Sequence, residues 1–160
     1  MENSVNWLPE LEFFASYDGD WEKYLHALYA IFHADFVASK PSYQGVRLGL
    51  KRHPMIQGKE ATFWHIISTG DNEEDRVPDF RRCERIRWPK PLIENVPNDD
   101  IKVWTERRNS EDRIHLWLES EGYLLVLNKR RDYLLWTAFY VEKQHQRDKY
   151  KKRWERYKGI

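Results

Sequence analysis

The stretch from Arg113 to Val141 limits the fold more tightly than any other part of the chain. From Arg113 to Glu119, Ile114, Leu116 and Leu118 alternate with His115, Trp117 and Glu119, the two-residue period of a strand with unlike faces. Gly122 precedes Tyr123 to Leu127, five apolar residues in a row. The polar turn Asn128-Lys129-Arg130-Arg131-Asp132 then leads into a second aromatic-rich run, Tyr133 to Val141. Three strand-like runs joined by short turns predict an antiparallel meander.

The flanks read as helices and weaker strands. Asp18-Gly19-Asp20 is a turn and N-cap signal, after which Trp21, Leu25, Leu28, Phe32 and Phe36 recur at helical spacing, so an amphipathic helix is predicted from Asp20 to about Phe36. His26 and His33 share one side of it and take surface or half-buried structural roles. Val46, Leu48 and Leu50 alternate with Arg47, Gly49 and Lys51 as in a half-buried strand. Ala61 to Ile67 reads as a buried strand, with a short helix as the alternative, and the polar stretch Thr69 to Pro78 as a loop. Pro78 can open a short helix through the arginine-rich segment that follows, and Pro89 and Pro91 stop it. Ile101, Val103 and Trp104 form a weaker strand. Glu142 to Tyr157 is helical, with Tyr150, Trp154 and Tyr157 on one side and Lys and Arg elsewhere.

The prediction is one α+β domain over residues 1–160. A small antiparallel sheet of about four to five strands, ending in the meander, lies in a core of about 45–141. It is packed by an acidic N-terminal helix of about 20–36 and a basic C-terminal helix of about 142–157.

Composition narrows the chemistry. Cys83 is the only cysteine, which excludes an intramolecular disulfide and a cysteine zinc site within one chain. The N-terminus carries acidic residues where a signal peptide has basic ones, and no apolar run approaches about 18 residues. A cytoplasmic protein with no membrane partner is therefore expected. The net charge of +1 hides a polarity. Residues 1–35 hold seven acidic residues against Lys23, a net of −6, whereas residues 141–160 hold eight basic residues against Glu142, Asp148 and Glu155, a net of +5. Such ends can dock on one another, or the basic one can face a polyanion. The sequence has no His-Glu-x-x-His, no calcium-loop spacing of acids and no glycine-rich phosphate loop, so neither a metal nor an organic cofactor is expected.

One set of residues fits a reaction. His65 lies in an apolar run, where a polar ring needs a partner. Arg81, Arg82, Arg85 and Arg87 cluster downstream; Thr137 and Tyr140 interrupt an apolar strand; Lys129, Arg130 and Arg131 load a hairpin tip. Metal-free RNA cleavage needs groups that take and give a proton as the ribose 2′-OH attacks phosphorus, and histidine serves either task. Arginine meets the charge that builds on the phosphate oxygens. Each element also has a plainer reading. The histidine can be a structural one, the arginines can be a solvated face or pair with the acidic N-terminal segment, Thr137 and Tyr140 have ordinary strand propensity, and the tip can serve solubility.

The order Ala-Thr-Phe-Trp-His (61–65), Arg-Cys-Glu-Arg-Ile-Arg-Trp (82–88), Tyr-Leu-Leu-Val-Leu-Asn (123–128) and Tyr-Leu-Leu-Trp-Thr-Ala-Phe-Tyr-Val (133–141) resembles phage-associated members of the barnase–EndoU–colicin–RelE nuclease superfamily. The resemblance covers roughly residues 36 to 157. It implies a small antiparallel sheet with helices against one face and metal-independent RNA cleavage, often in toxins or phage–host conflict, with an antitoxin or immunity protein as partner. His65 matches the histidine of that group, Arg82 and Arg85 its basic positions, and Thr137 and Tyr140 its strand-end polar positions. Arg107, Arg108 and Arg113 equally suit a phosphate contact. The leading expectation is thus an endoribonuclease with His65, Arg82, Arg85 and Thr137 as catalytic residues and Arg81, Lys129, Arg130, Arg131 and Tyr140 binding RNA. A catalytically silent nucleic-acid-binding module ranks second and a protein-interaction domain third.

Overall fold

A computed structural model describes residues 5–159. Its centre is a five-stranded sheet built from β3 (Gly49–Leu50), β6 (Ile101–Arg108), β7 (Glu111–Leu118), β8 (Tyr123–Lys129) and β9 (Tyr133–Tyr140), in the spatial order β3-β9-β8-β7-β6. The predicted meander is present: β7 pairs antiparallel with β8, and β8 with β9. Two-residue ribbons join β1 (Ser42–Tyr43) to β2 (Val46–Arg47) and β4 (Ser68–Thr69) to β5 (Val77–Pro78). The helices are α1 (Trp21–His33), α2 (Ala61–Ile67), α3 (Phe80–Glu84), α4 (Pro89–Glu94) and α5 (Gln144–Tyr157). The fold is α+β, and no helix among the described residues is long and apolar enough to cross a membrane.

Several local expectations need correction. Ala61–Ile67 is a helix rather than a strand. Its first N–H groups have no partner inside the helix and instead reach the chain leaving β3, Ala61 to the carbonyl of Arg52 (3.1 Å) and Thr62 to that of Lys51 (2.9 Å). Burial follows a helical pattern, with Ala61, Thr62, Phe63, Ile66 and Ile67 inside and Trp64 and His65 half-buried. The Val46–Lys51 strand is broken at Leu48, whose side chain turns into the core while its N–H reaches the carbonyl of Pro41 (2.9 Å). The remainder, β3, pairs parallel with β9, so the sheet is mixed rather than wholly antiparallel. A Cβ at Gly49 would lie 2.7 Å from Leu134 Cδ2, so a larger residue at this crossing would require the Leu134 side chain to shift. Pro89 begins a helix instead of ending one, as suits a residue whose missing N–H is needless at a first helical position. β6 runs for eight residues, its outer half masked in the sequence by Glu106, Arg107 and Arg108.

The predicted acidic helix forms, capped by Asp20, whose carboxylate accepts from the N–H of Glu22 (3.0 Å) and Lys23 (3.3 Å). Past His33 it continues as a π-helical turn, Ala34–Ala38, which keeps Phe36 buried. His26 and His33 are exposed.

The sheet has two unequal faces. Against one, α1 to α4 seal a large core with Ile114, Leu116, Leu118, Tyr123, Leu125, Leu127, Leu135 and Ala138; full burial of each large apolar side chain contributes about 1.5–3 kcal/mol before entropy is counted. Among the described residues, the other face buries a smaller apolar cluster, Trp104, Trp117, Leu124, Val126 and Val141, with Phe139 and, from α5, Tyr150, Trp154 and Tyr157 packed against it. No residue of α5 is itself buried.

β9 contains a bulge. Val126 faces Thr137 and Leu127 faces Leu135, so Trp136 is an extra residue. Strict alternation would send Trp136 and Thr137 to opposite sides. Instead Leu135 and Ala138 are buried in the core, and Trp136 and Thr137, between them, line one recess on the other side.

Candidate nucleic-acid interface

Three of the four expected catalytic residues meet, although not around an open space. The outer turn of α2 carries His65, and two acceptors face its two nitrogens: Glu73 (Nε2 to Oε1 2.9 Å and to Oε2 3.1 Å) and the carbonyl of Trp136 (Nδ1, 3.3 Å). The side chain is 12% exposed. Lys51 also reaches Glu73 (Nζ to Oε1 3.2 Å). Burial raises the affinity of the Glu73 carboxyl for a proton, but the hydrogen bonds and charges of His65 and Lys51 outweigh it and hold the group below its ordinary pKa. Thr137 Oγ1 donates to the carbonyl of His65 (3.2 Å), and Arg82 Nη1 donates to the same carbonyl and to that of Ser68 (both 2.8 Å). These bonds close the C-terminal end of α2, whose carbonyls would otherwise lack donors.

Arg82 is 16% exposed, and its guanidinium also lies over the Phe139 ring at 5.1 Å. Arg85 lies farther along β9, over the rings of Tyr140 (3.9 Å) and Trp88 (5.1 Å), 11% exposed, with Glu84 at 3.7 Å. Burial pushes both guanidiniums below their usual range. Arg82 ties α2 and α3 to β9, and Arg85 ties the end of α3 to β9. Tyr140 is held between Arg85 and Arg147, whose Nη2 donates to its hydroxyl (3.2 Å). Arg87 pairs with Glu12 (3.0 Å), so part of the arginine cluster does join the acidic N-terminal segment. Arg81 is 57% exposed and pairs with Glu84 (2.9 Å). Lys129, Arg130 and Arg131 are exposed at the β8–β9 tip, Lys129 over the Tyr133 ring at 5.1 Å.

A second constellation lies on the thinly covered face. A recess of about 210 Å³ is lined by Arg108, Arg113, His115, Trp136, Thr137, Phe139, Tyr150 and Arg153 beside Leu124 and Val126. The Arg113 guanidinium lies over the Trp136 ring (4.7 Å) and Lys51 Nζ approaches the same ring (5.3 Å). His115 stacks flat on Trp104, with centroids 4.7 Å apart. Glu106 anchors α5 here, accepting from Trp104 Nε1 (2.7 Å) and from Arg153 Nε (2.9 Å) and Nη2 (2.5 Å). The same Nη2 reaches His115 Nε2 (3.3 Å). Burial and the charge of Arg153 push the His115 pKa down against the pull of Glu106, so the ring is neutral at neutral pH and its Nε2 accepts from Arg153.

α5 continues this positive surface outward. His145, Lys149, Lys152 and Arg156 line a shallow groove of about 320 Å³ with Asp148 and Arg153. Their spacing places them along one side of a helix, and all four are exposed. Gly122 holds α5 in place: at φ 65°, its missing Cβ leaves room for the Arg147 guanidinium, which donates to the carbonyl of Val141 (2.7 Å).

The recess unites Arg108 and Arg113, which the sequence offered as phosphate contacts, and Thr137, expected at the catalytic centre, with His115, Trp136, Phe139, Tyr150 and Arg153, which were not expected at a site. One signal was available, because Arg113 and His115 occupy the outward positions of a strand whose inward ones are Ile114, Leu116 and Leu118. The bulge that brings Trp136 beside Thr137 left no mark in the residue pattern. No family model matches the chain, and no curated protein or solved structure matches it either.

Proposed function

We propose that this chain is a nucleic-acid-binding module, with RNA the expected ligand, and that it binds through α5 and the neighbouring open face of the sheet. The observation that carries this reading is the exposed row His145, Lys149, Lys152 and Arg156, running into a recess where arginines and aromatic rings alternate. Phosphate neutralisation by exposed cations and stacking on aromatic rings are the two interactions that bind single strands. Arg82 and Arg85, by contrast, are half-buried and bonded within the fold. Cleavage by His65 requires a ring nitrogen free to meet a ribose, and here both nitrogens already face acceptors.

The test is fluorescence anisotropy with a labelled RNA oligonucleotide over a salt series in EDTA. Affinity should fall steeply with salt. Replacing Lys149, Lys152 and Arg156 by Gln should reduce the log–log salt slope by about 2, at roughly 0.7 for each phosphate no longer neutralised. Salt-independent affinity, or no binding at low salt, would overturn the reading. RNA products lost on His65→Ala would restore the endoribonuclease.

A further inference from the structure

We infer that the recess between β7, β8, β9 and α5 receives one unpaired nucleotide, so that the module prefers single-stranded nucleic acid to a duplex of the same sequence. This rests on the nucleic-acid-binding reading and names the form of ligand that the site takes. The recess pairs two kinds of wall. Trp136, Phe139 and Tyr150 are aromatic, and Arg108, Arg113 and Arg153 are permanently charged. Arg113, lying over Trp136 at 4.7 Å, extends the indole into a second stacking plane, since a guanidinium accepts a base face as an aromatic ring does.

Thr137 adds a hydroxyl beside Trp136, with lone pairs left after its proton goes to the His65 carbonyl (3.2 Å). Neutral His115 packs into the floor without adding charge. A volume of about 210 Å³ admits one base or one phosphate and no helix. A duplex keeps its base faces stacked on one another and can offer this recess only its phosphates. The α5 row requires phosphates alone and is indifferent to pairing. The two surfaces therefore divide the work: the helix attracts the backbone, and the recess tells an open strand from a closed one.

The experiment compares one labelled RNA strand with its duplex, using the full chain and the variants Arg113→Gln and Trp136→Leu. The unmodified protein should bind the single strand about tenfold more tightly, the contribution of one stacked base. Each variant should remove that preference: Trp136→Leu, which takes away no charge, should leave duplex affinity unchanged, and Arg113→Gln should weaken single-strand binding more than duplex binding. As a measurement independent of any variant's folding, uridine 5′-monophosphate titrated into the labelled unmodified protein should shift the NMR signals of the Trp136 indole and Arg113 side chain ahead of those of Lys152. Equal affinity for the two forms overturns this inference while leaving the binding module intact, as does equal weakening of both on Arg113→Gln, or nucleotide shifts confined to α5. Absence of binding to either form removes both.

Discussion

The two faces of the sheet use the same residue type in opposite ways. On the side of α2 and α3, Arg82 and Arg85 are turned inward, tied to the carbonyls of His65, Ser68 and Arg81, with Arg85 laid against Tyr140 and Arg82 reaching the edge of β9 at Phe139, whose ring also lines the recess. On the side of α5, Arg108, Arg113 and Arg153 border a recess, and Arg156 is exposed beyond it. The first group joins elements together. In the second, Arg153 is paired with Glu106 (2.5 Å) and Arg113 with Glu111 (3.6 Å), yet both still border the recess. Arg108 and Arg156 face outward with no acidic partner among the described residues. A cluster of arginines in a sequence thus says little until the acceptors around it are known. Helix ends supply many such acceptors.

The largest effect that could break this contrast is on stability. Arg82→Leu should destabilise the chain by about 2 kcal/mol, because two carbonyls at the end of α2 each lose a charged donor, keeping only Thr137 on one and Arg76 on the other. Urea unfolding measures it; a loss under about 0.5 kcal/mol would mean that Arg82 is as dispensable as a surface residue.

Next comes pH. His115 has its pKa lowered on folding, so the unfolded chain binds the extra proton first and stability is lost as pH falls below the unfolded value of 6.5. The slope in that window is at most roughly 1.4 kcal/mol per pH unit for one group. Glu73 and Glu106, also lowered, add to the loss only below their ordinary value of 4.5. Thermal unfolding between pH 7 and 5 should show the decline, and His115→Gln should flatten it; a profile unaltered by that change would show His115 to be uncoupled from folding.

The smallest expected stability effect is at α5. The Gln substitutions at Lys149, Lys152 and Arg156 should shift unfolding by less than about 0.5 kcal/mol, although they remove most nucleic-acid affinity. A large destabilisation would place these side chains with Arg82 rather than apart from it.

Much of the fold was legible because it depends on near neighbours in sequence. The meander of β7, β8 and β9 follows from alternation and turn residues, α1 from its stripe and its Asp20 cap, and α5 from Tyr150, Trp154 and Tyr157. Distant partners hid the rest. α2 is a helix although its run is rich in Ile and aromatic residues, because the chain leaving β3 accepts its first N–H groups and β9 offers it an edge to pack on. The site was partly legible: His65, Arg82 and Thr137 do converge, but on a backbone carbonyl, and nothing in residue type says whether a polar side chain will serve the interior or the outside. Arg113 and His115 alternate with core residues and so were open to notice, yet Trp136 reaches them only through a register shift that belongs to two strands at once.

That shift has a consequence for how the protein tolerates change in length. A deletion of Trp136 or Thr137 would restore regular pairing with β8 and keep Leu135 and Ala138 on the core face. The chain could then still fold while losing, in one step, the neighbouring indole and hydroxyl that share an outlook only because of one supernumerary position. Conservative substitutions along β9 would change the recess by degrees. The loss of a single codon there would abolish it.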